Sequence, residues 1–139
     1  MPEIKRIHHI AVLVDDIETS LGFWRDILGI EPTHVSDVPT EAARIAFLPL
    51  GESEIELVQP TTNDSGLSRF LVKHGPGMHH LCFQVNDLHN LLTQLKAKGV
   101  QLINEQPRMD GDGRMYAFIH PKSTQGVLVE LYQLPENSS

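Results

Sequence analysis

The sequence contains a single cysteine, Cys82, among its 139 residues. One cysteine cannot close a disulfide within the chain, so a reducing compartment is the default expectation. The sequence also lacks an apolar run long enough for a membrane-spanning helix, and its first residues lack the apolar segment of a signal peptide. We therefore expect a cytoplasmic protein, or the mature form of an organellar one.

An excess of positive charge is also missing. The chain has 11 lysines and arginines against 18 aspartates and glutamates, which gives a formal net charge of -7. This balance disfavours nucleic acids and anionic membranes as partners, although a local basic cluster can still bind a small anionic ligand. The length and the 40% hydrophobic content predict one compact domain over residues 1–139.

The chain repeats itself. Residues 7–14 read Ile-His-His-Ile-Ala-Val-Leu-Val, and residues 78–85 read Met-His-His-Leu-Cys-Phe-Gln-Val, at an offset of 71. Near the end of each copy, Glu-Leu-Val-Gln at 56–59 recurs as Glu-Leu-Tyr-Gln at 130–133. A repeat determines the architecture and so takes precedence over local assignments. We place the two copies at about residues 5–60 and 76–134.

Each copy has the pattern of a strand, a helix and three further strands. In the first copy we predict a strand at 7–14, a helix from Asp16 to about Leu28 with Glu18 completing a box-like cap, and strands near 31–37, 43–50 and 53–59. In the second we predict a strand at 78–85, a helix from Asp87 closed by Gly99, and strands near 100–104, 114–119 and 126–133. A short helix is expected near 67–74. The predicted fold class is α+β, with two tandem βαβββ units that form an eight-stranded, cup-shaped sheet around a metal site.

Four residues at repeat-equivalent positions carry the predicted chemistry. His9 and His80 lie in the first strands of the two copies, and Glu56 and Glu130 lie in the last strands. Side chains alternate along a strand, and the face opposite each histidine is the more apolar, so the face that bears these residues should line a cavity. Imidazole nitrogen and carboxylate oxygen suit a divalent ion such as Co, Mn, Ni, Zn or Fe. We predict that the four residues bind one such ion within one chain.

The pattern resembles the vicinal oxygen chelate superfamily, which has a glyoxalase-like fold, and within it the methylmalonyl-CoA epimerases. The most specific segments are Phe-Leu-x-Lys-x-Gly-x-Gly at 70–77, and His-Pro-Lys at 120–122 followed by Gly-Val-Leu-x-Glu-Leu at 126–131. Further similarity lies in residues 7–12, 46–51, 54–57, 78–81 and 117–119. The resemblance therefore covers nearly the whole chain.

The resemblance implies a homodimer and a metal-dependent interconversion of the (R) and (S) forms of methylmalonyl-CoA. One group removes the acidic proton, the metal stabilises the enolate, and an acid returns a proton from the other face. Glu130 matches the family's metal-bound glutamate and is a candidate for one of these groups. Lys122 and Arg114 are candidates for binding the anionic coenzyme A. Many bacterial epimerases carry a second glutamate where Ile45 stands, and isoleucine cannot transfer a proton.

Two other functions stay open at this point. A glyoxalase I-type lactoylglutathione lyase would use similar ligands, although such enzymes usually carry Asp-Pro-x-Gly where residues 120–123 read His-Pro-Lys-Ser. A metal-free module of the same fold could bind a small molecule, although all four ligand positions are filled. An extradiol dioxygenase is expected to use only two histidines and one carboxylate on iron.

Overall fold

The computed structural model describes residues 2–135, and Met1 and residues 136–139 lie outside the described part. Within it, eight strands make up a mixed sheet that is accompanied by three α-helices. The helices are α1 (Ile17–Trp24), α2 (Gly66–His74) and α3 (Leu88–Ala97). The strands are β1 (Ile4–Leu13), β2 (His34–Val38), β3 (Ala43–Leu50), β4 (Ser53–Pro60), β5 (Gly77–Val85), β6 (Arg108–Met109), β7 (Met115–Ile119) and β8 (Val129–Gln133). The α+β class and the βαβββ order of each copy are confirmed.

The chain divides into two compact units. The first unit comprises residues 9–79, and its strands follow the order β2-β3-β4-β1. The second unit comprises residues 2–8 together with 80–135, and its strands follow the order β5-β8-β7-β6. The predicted copies at 5–60 and 76–134 differ from these units at β1, whose first residues belong to the second unit, and at β5, whose first residues belong to the first unit. No helix among the described residues is long and apolar enough to cross a membrane.

The two units attach a helix to their last strand by the same hydrogen bond. The backbone N–H of Ile17, at the start of α1, donates to Oε1 of Gln59 on β4 at 2.9 Å. The backbone N–H of Leu88, at the start of α3, donates to Oε1 of Gln133 on β8 at 2.7 Å. Each glutamine thus satisfies a first-turn N–H that the helix itself cannot pair. The repeat read from the sequence therefore extends to individual hydrogen bonds.

Apolar side chains pack between the sheet and these helices in both units. The cluster in the first unit contains Val14, Ile17, Leu21, Ala46, Leu48 and Leu57. The cluster in the second unit contains Val85, Leu88, Leu92, Ala117, Ile119 and Leu131. Full burial of such side chains stabilises the fold by roughly 1.5–3 kcal/mol each for the larger ones. The face opposite the histidines, which is the more apolar in the sequence, therefore packs under α1 and α3.

The N-terminus of α1 is capped as predicted, but the helix is shorter. Asp16 accepts a hydrogen bond from the backbone N–H of Thr19 at 2.9 Å, and bonds from Thr19 lower the pKa of Asp16 below its ordinary value. Thr19 rather than Glu18 holds the third helical position, so the predicted box-like cap is wrong. The helix ends at Trp24 rather than Leu28. After Trp24 the backbone N–H groups of Asp26 and Leu28 reach back five residues, to Leu21 and Phe23, which widens the turn.

The segment after α3 also differs from the prediction. Residues 100–104 form no strand and make only one bridge, between Leu102 and Ile119. Here the side chain of Asn104 accepts from the backbone N–H of Phe118 at 2.8 Å, so a side chain replaces the expected strand partner. The short strand β6 pairs with β7 instead. The last strand begins at Val129 rather than 126.

Candidate metal and proton-transfer site

The first unit brings His9 and Glu56 together. Strands β1 and β4 run parallel, and Glu56 lies opposite Ala11. Because Ala11 follows His9 by two residues, the side chains of His9 and Glu56 lie on the same face of the sheet. Nδ1 of His9 is 3.4 Å from Oε2 of Glu56. Their side chains are only 7% and 11% exposed. Because a buried carboxylate needs a polar partner, this pair is a specific arrangement rather than a surface contact.

The second unit brings His80 and Glu130 together in the same way. Strands β5 and β8 run parallel with Cys82 opposite Glu130, so Glu130 also lies two residues beyond its histidine. Nε2 of His80 is 3.1 Å from Oε1 of Glu130, and both side chains are nearly buried. The register offset that builds the first pair is therefore repeated in the second.

The donor chemistry of both pairs fits a divalent metal ion. Each pair presents one imidazole nitrogen and one carboxylate oxygen within 3.4 Å of each other in a buried position. This combination suits first-row transition ions, and the two carboxylates supply two negative charges. The structure thus places the four sequence-predicted ligands as two pairs, one in each unit. Binding of a single ion by all four residues stays a prediction.

Two phenylalanines that the sequence analysis missed lie beside the carboxylates. Phe47 on β3 is opposite Glu56, and Phe118 on β7 is opposite Glu130. The ring of Phe118 meets the ring of His80 edge-on at 5.6 Å. The same offset of 71 relates the two phenylalanines, so the repeat contained the signal that identifies them. Directly opposite residues of an antiparallel pair share a face, which places an aromatic ring next to each carboxylate.

Apolar side chains make up much of the surroundings of the first pair. Ile45 lies opposite Val58 on the Glu56 face and is 4% exposed. It belongs to a buried cluster with Ala11, Leu13, Ala43 and Val58, packed against Leu67, Phe70 and Leu71 of α2. The position where many epimerases carry an acid therefore faces the same side as Glu56, but it holds a buried hydrocarbon. On the same face Glu54 lies opposite His9, so the lining combines these apolar side chains with a further carboxylate.

The second pair has polar neighbours, and one of them was also missed. Tyr132 follows Glu130 by two residues on the same face and is 8% exposed. Nη1 of Arg114 donates to the phenol oxygen of Tyr132 at 3.1 Å. The ring of His8 lies 4.8 Å from the tyrosine ring. Burial raises the pKa of Tyr132 well above its usual range, and Arg114 offsets only part of this, so the phenol stays neutral near pH 7.

Lys122 lies in a single turn of 3-10 helix, Pro121–Ser123, and its side chain is exposed. Its backbone N–H donates to Nδ1 of His120 at 3.0 Å, which caps this turn. The His-Pro-Lys segment thus has a defined local structure. A role for Lys122 in substrate binding stays a prediction.

Known proteins are similar to this chain in sequence and in fold. A model of the Glyoxalase/Bleomycin resistance protein/Dioxygenase superfamily matches residues 8–118. The chain is 35% identical over 132 residues to mitochondrial methylmalonyl-CoA epimerase of Mus musculus, which covers 94% of this chain and 74% of the relative. It is 33% identical over 133 residues to ethylmalonyl-CoA/methylmalonyl-CoA epimerase of Cereibacter sphaeroides, which covers 94% and 99%.

A solved structure of methylmalonyl-CoA epimerase in complex with methylmalonyl-CoA and NH4+ superimposes with a TM-score of 0.87. It is 31% identical in sequence, and the superposition covers 99% of both chains. The glyoxalase-like fold expected from the resemblance is therefore confirmed. The chain belongs to the Glyoxalase/Bleomycin resistance protein/Dioxygenase superfamily, and within it to the family of the methylmalonyl-CoA epimerases.

Proposed function

We propose that the chain is a metal-dependent isomerase that interconverts the two epimers of methylmalonyl-CoA. The observation that carries the proposal is the repeated, buried pairing of His9 with Glu56 and of His80 with Glu130 at the same register offset. The names of the relatives support an acyl-CoA substrate, since they are epimerases of malonyl thioesters. The lactoylglutathione lyase alternative has less support for the same reason.

The two pairs together would hold one divalent ion, which is Co, Mn, Ni, Zn or Fe. Each pair would contribute two ligands to the ion, one imidazole nitrogen and one carboxylate oxygen. Such an ion supplies Lewis-acid stabilisation of the negative charge that develops when a carbon-bound proton is removed. The two glutamates also neutralise the charge of a divalent ion, which removes the cost of burying them unpaired.

Glu130 is the group that we expect to move a proton. Its carboxylate is buried, it is oriented by His80 through the 3.1 Å contact, and Phe118 lies opposite it on β7. In the proposed step, Glu130 takes the proton from the carbon that bears the methyl group, and the C–H electron pair delocalises into the adjacent carbonyl groups. Return of a proton to the opposite face of that carbon gives the other epimer, with no net change in oxidation state.

A second carrier must deliver or remove the proton on the other face. Ile45 cannot do so, and it is buried among hydrocarbon side chains. We propose a bound water as this carrier, since one carboxylate that is fixed by its strand and its histidine is poorly placed to reach both faces. The enzyme would then use two carriers, of which only Glu130 is a side chain.

The proposal includes a homodimer and contacts to coenzyme A. Lys122, exposed and next to the capped turn at 120–123, is our candidate for the phosphate end of the substrate. Light scattering at micromolar concentration tests the dimer, and a monomeric mass would contradict it. This result would not bear on the ligands, which all lie in one chain.

The deciding experiment starts from the purified full-length chain and its metal content by elemental analysis. The metal-loaded protein is incubated with a single epimer of methylmalonyl-CoA, and loss of optical purity is followed. The hemithioacetal of methylglyoxal and glutathione is the parallel substrate for the lyase alternative. Glu130→Gln is the matched inactive control. Absence of epimerisation by metal-loaded protein would overturn the proposal, and a metal-free protein that binds thioesters without turnover would favour the binding module.

A further inference from the structure

The imidazole of His80 is contacted by two side chains of the second unit. Its Nε2 atom lies 3.1 Å from Oε1 of Glu130 on β8. The ring of Phe118 on β7 meets the His80 ring edge-on, with the centroids 5.6 Å apart and the planes at 87°. A contact to one nitrogen leaves the imidazole free to turn about that contact, whereas an edge-to-face ring pair also favours one orientation of the plane. Phe118 therefore restricts the His80 ring beyond what Glu130 alone can do.

The backbone polar groups of Phe118 point away from β8. Its N–H donates to Oδ1 of Asn104 at 2.8 Å, and its carbonyl accepts from the N–H of Ile103 at 2.8 Å. Phe118 and Glu130 are directly opposite each other on antiparallel strands, so they form a pair without mutual hydrogen bonds. Side chains approach most closely in such pairs. The Phe118 side chain is therefore close to the carboxylate that contacts His80.

Asn104 holds Phe118 where the neighbouring strand does not reach. In the first unit the strand β2 pairs with β3, and the N–H of Thr33, just before β2, donates to the carbonyl of the equivalent Phe47 at 2.8 Å. In the second unit β6 has only two residues, and its pairing with β7 does not extend to Phe118. The backbone N–H of Ile103 and the side chain of Asn104 bind Phe118 instead. Asn104 thus supplies the acceptor that a longer strand would provide.

We propose that Phe118 and Asn104 set the orientation of the His80 imidazole, and that the affinity of the chain for a divalent ion depends on both. Phe118 is the positioning residue that contacts the ring. Asn104 acts through Phe118, because its hydrogen bond ends on the Phe118 backbone. This inference rests on the proposed metal site, since it concerns how one of the four ligands is oriented. Partners that orient a metal ligand commonly affect metal affinity although they do not bind the ion.

The first test measures metal affinity with Co(II) alone as the probe. The purified full-length chain is titrated with Co(II), and binding is followed by visible absorbance. Phe118→Leu removes the ring but keeps an apolar side chain, so Co(II) should bind about two- to tenfold more weakly, the contribution of one aromatic pair. Phe118→Tyr retains the ring and should retain the affinity. Phe83→Leu is the matched control, because it removes the same ring from the opposite face of β5 and should lower only the urea midpoint.

The second test asks whether Asn104 acts through Phe118. Asn104→Ala removes the acceptor of the Phe118 N–H and should weaken Co(II) binding no more than Phe118→Leu does. Asn104→Asp keeps an acceptor oxygen and should restore the affinity. In the variant that combines Asn104→Ala with Phe118→Leu the two losses should not add, because residues that act through one contact are coupled. Asn86→Ala is the control, since Asn86 accepts from the backbone N–H of Glu3 by the same kind of bond, at 2.7 Å, and its loss should leave Co(II) affinity unchanged.

The third test observes the imidazole directly in the metal-free protein. The ring current of Phe118 acts on the carbon-bound protons of the His80 ring, whose NMR resonances are assigned by their loss in His80→Ala. These resonances should move in Phe118→Leu and in Asn104→Ala. They should keep their positions in the Phe83→Leu and Asn86→Ala controls, whose effect is on stability alone.

The outcomes distinguish this inference from the proposed function. Unchanged Co(II) affinity or unchanged His80 resonances in Phe118→Leu would each overturn the inference while the wild type still binds the metal. Additive losses in the combined variant would show that Asn104 does not act through Phe118. If Phe118→Leu does not fold, the comparison of Asn104→Ala with Asn104→Asp decides the same question. A wild type that binds no Co(II) would instead contradict the proposed metal site and the proposed function.

Discussion

In the parallel pairing of β5 and β8, Glu130 lies opposite Cys82, two residues after His80. Its Oε1 atom is 3.1 Å from Nε2 of His80. Neither residue reaches the other through sequence proximity, since 50 positions separate them. The strand register sets their contact, and the hydrogen bond from Leu88 to Gln133 helps to hold β8 beneath α3. The carboxylate is therefore oriented before any substrate arrives, which is what a proton-transfer group requires.

Replacement of Glu130 by glutamine should abolish most of the activity. The amide keeps the size of the side chain but cannot accept the proton, and general acid–base catalysis typically contributes a hundred- to ten-thousandfold. We expect at least about a hundredfold loss of epimerisation in preparations that still contain metal. The loss is measured as the rate of change in optical purity per bound ion. Activity within tenfold of the wild type would show that Glu130 is only a ligand.

Substitution of either histidine should lower the metal content. The wild type should bind about one divalent ion per chain, and His9→Ala or His80→Ala should each weaken binding by more than the roughly 10–100-fold that loss of an outer partner costs. Elemental analysis after dialysis measures the stoichiometry. His89→Ala is the control, because His89 is exposed on α3. Two ions per chain, each lost with one histidine, would contradict a shared site.

Deuterated water separates one proton carrier from two. A single carboxylate that acts on both faces returns some of the original proton, whereas two carriers exchange it with solvent. Because Ile45 offers no acid and Glu130 is fixed, we expect the product of a single turnover to contain solvent deuterium almost completely. Mass spectrometry of the product measures the label. Substantial retention of the original proton would establish a single base.

Lys122→Ala should act on substrate binding rather than on chemistry. The Lys122 side chain is exposed and lies on the turn that His120 caps, whereas the histidine–glutamate pairs are nearly buried. We expect KM for methylmalonyl-CoA to rise more than kcat falls, as for contacts to a remote, non-reacting part of the substrate. The effect should shrink at high salt. An unchanged KM would remove Lys122 from the substrate site.

The cap of α1 should make stability depend on pH. Hydrogen bonds from Thr19 lower the pKa of Asp16 in the folded state, so its ionised form stabilises the fold above the unfolded pKa near 3.9. This contribution is lost as the pH falls through the lowered pKa. Asp16→Asn keeps a capping acceptor but cannot titrate, so its deficit in urea midpoint should be present at pH 6 and shrink below about pH 4. Asp15→Asn, which removes the same charge one residue earlier, should show a smaller deficit at pH 6.

The repeat made much of the fold and the ligand pairs predictable. Strand alternation assigned Glu56 and Glu130 to the correct faces, and an aspartate before an apolar helical pattern correctly identified both helix starts. These features depend on local sequence, which explains why they transfer directly to the structure. No local pattern predicts the strand register that brings each histidine to its glutamate. The pairing could still be predicted, because these residues occupy equivalent positions in the two copies.

The features that escaped prediction depend on contacts between distant segments. Arg114 and Tyr132 meet because β7 and β8 pair in one register, which no local pattern encodes. The side chain of Asn104 takes a hydrogen bond that a strand partner would otherwise supply, and the predicted strand at 100–104 is lost with it. Likewise, α1 ends early because its last turn widens, although the apolar spacing continues to Leu28. In each case tertiary structure overrides a local preference.

The two histidine–glutamate pairs share their register but not their neighbours. At equivalent positions of the last strands, Val58 follows Glu56 and Tyr132 follows Glu130. Two identical units would surround their histidine–glutamate pairs identically, and a ligand could not distinguish one pair from the other. The valine in one copy and the tyrosine in the other remove that equivalence. The two copies have therefore diverged beside the pairs, while the residues of the pairs are the same in both.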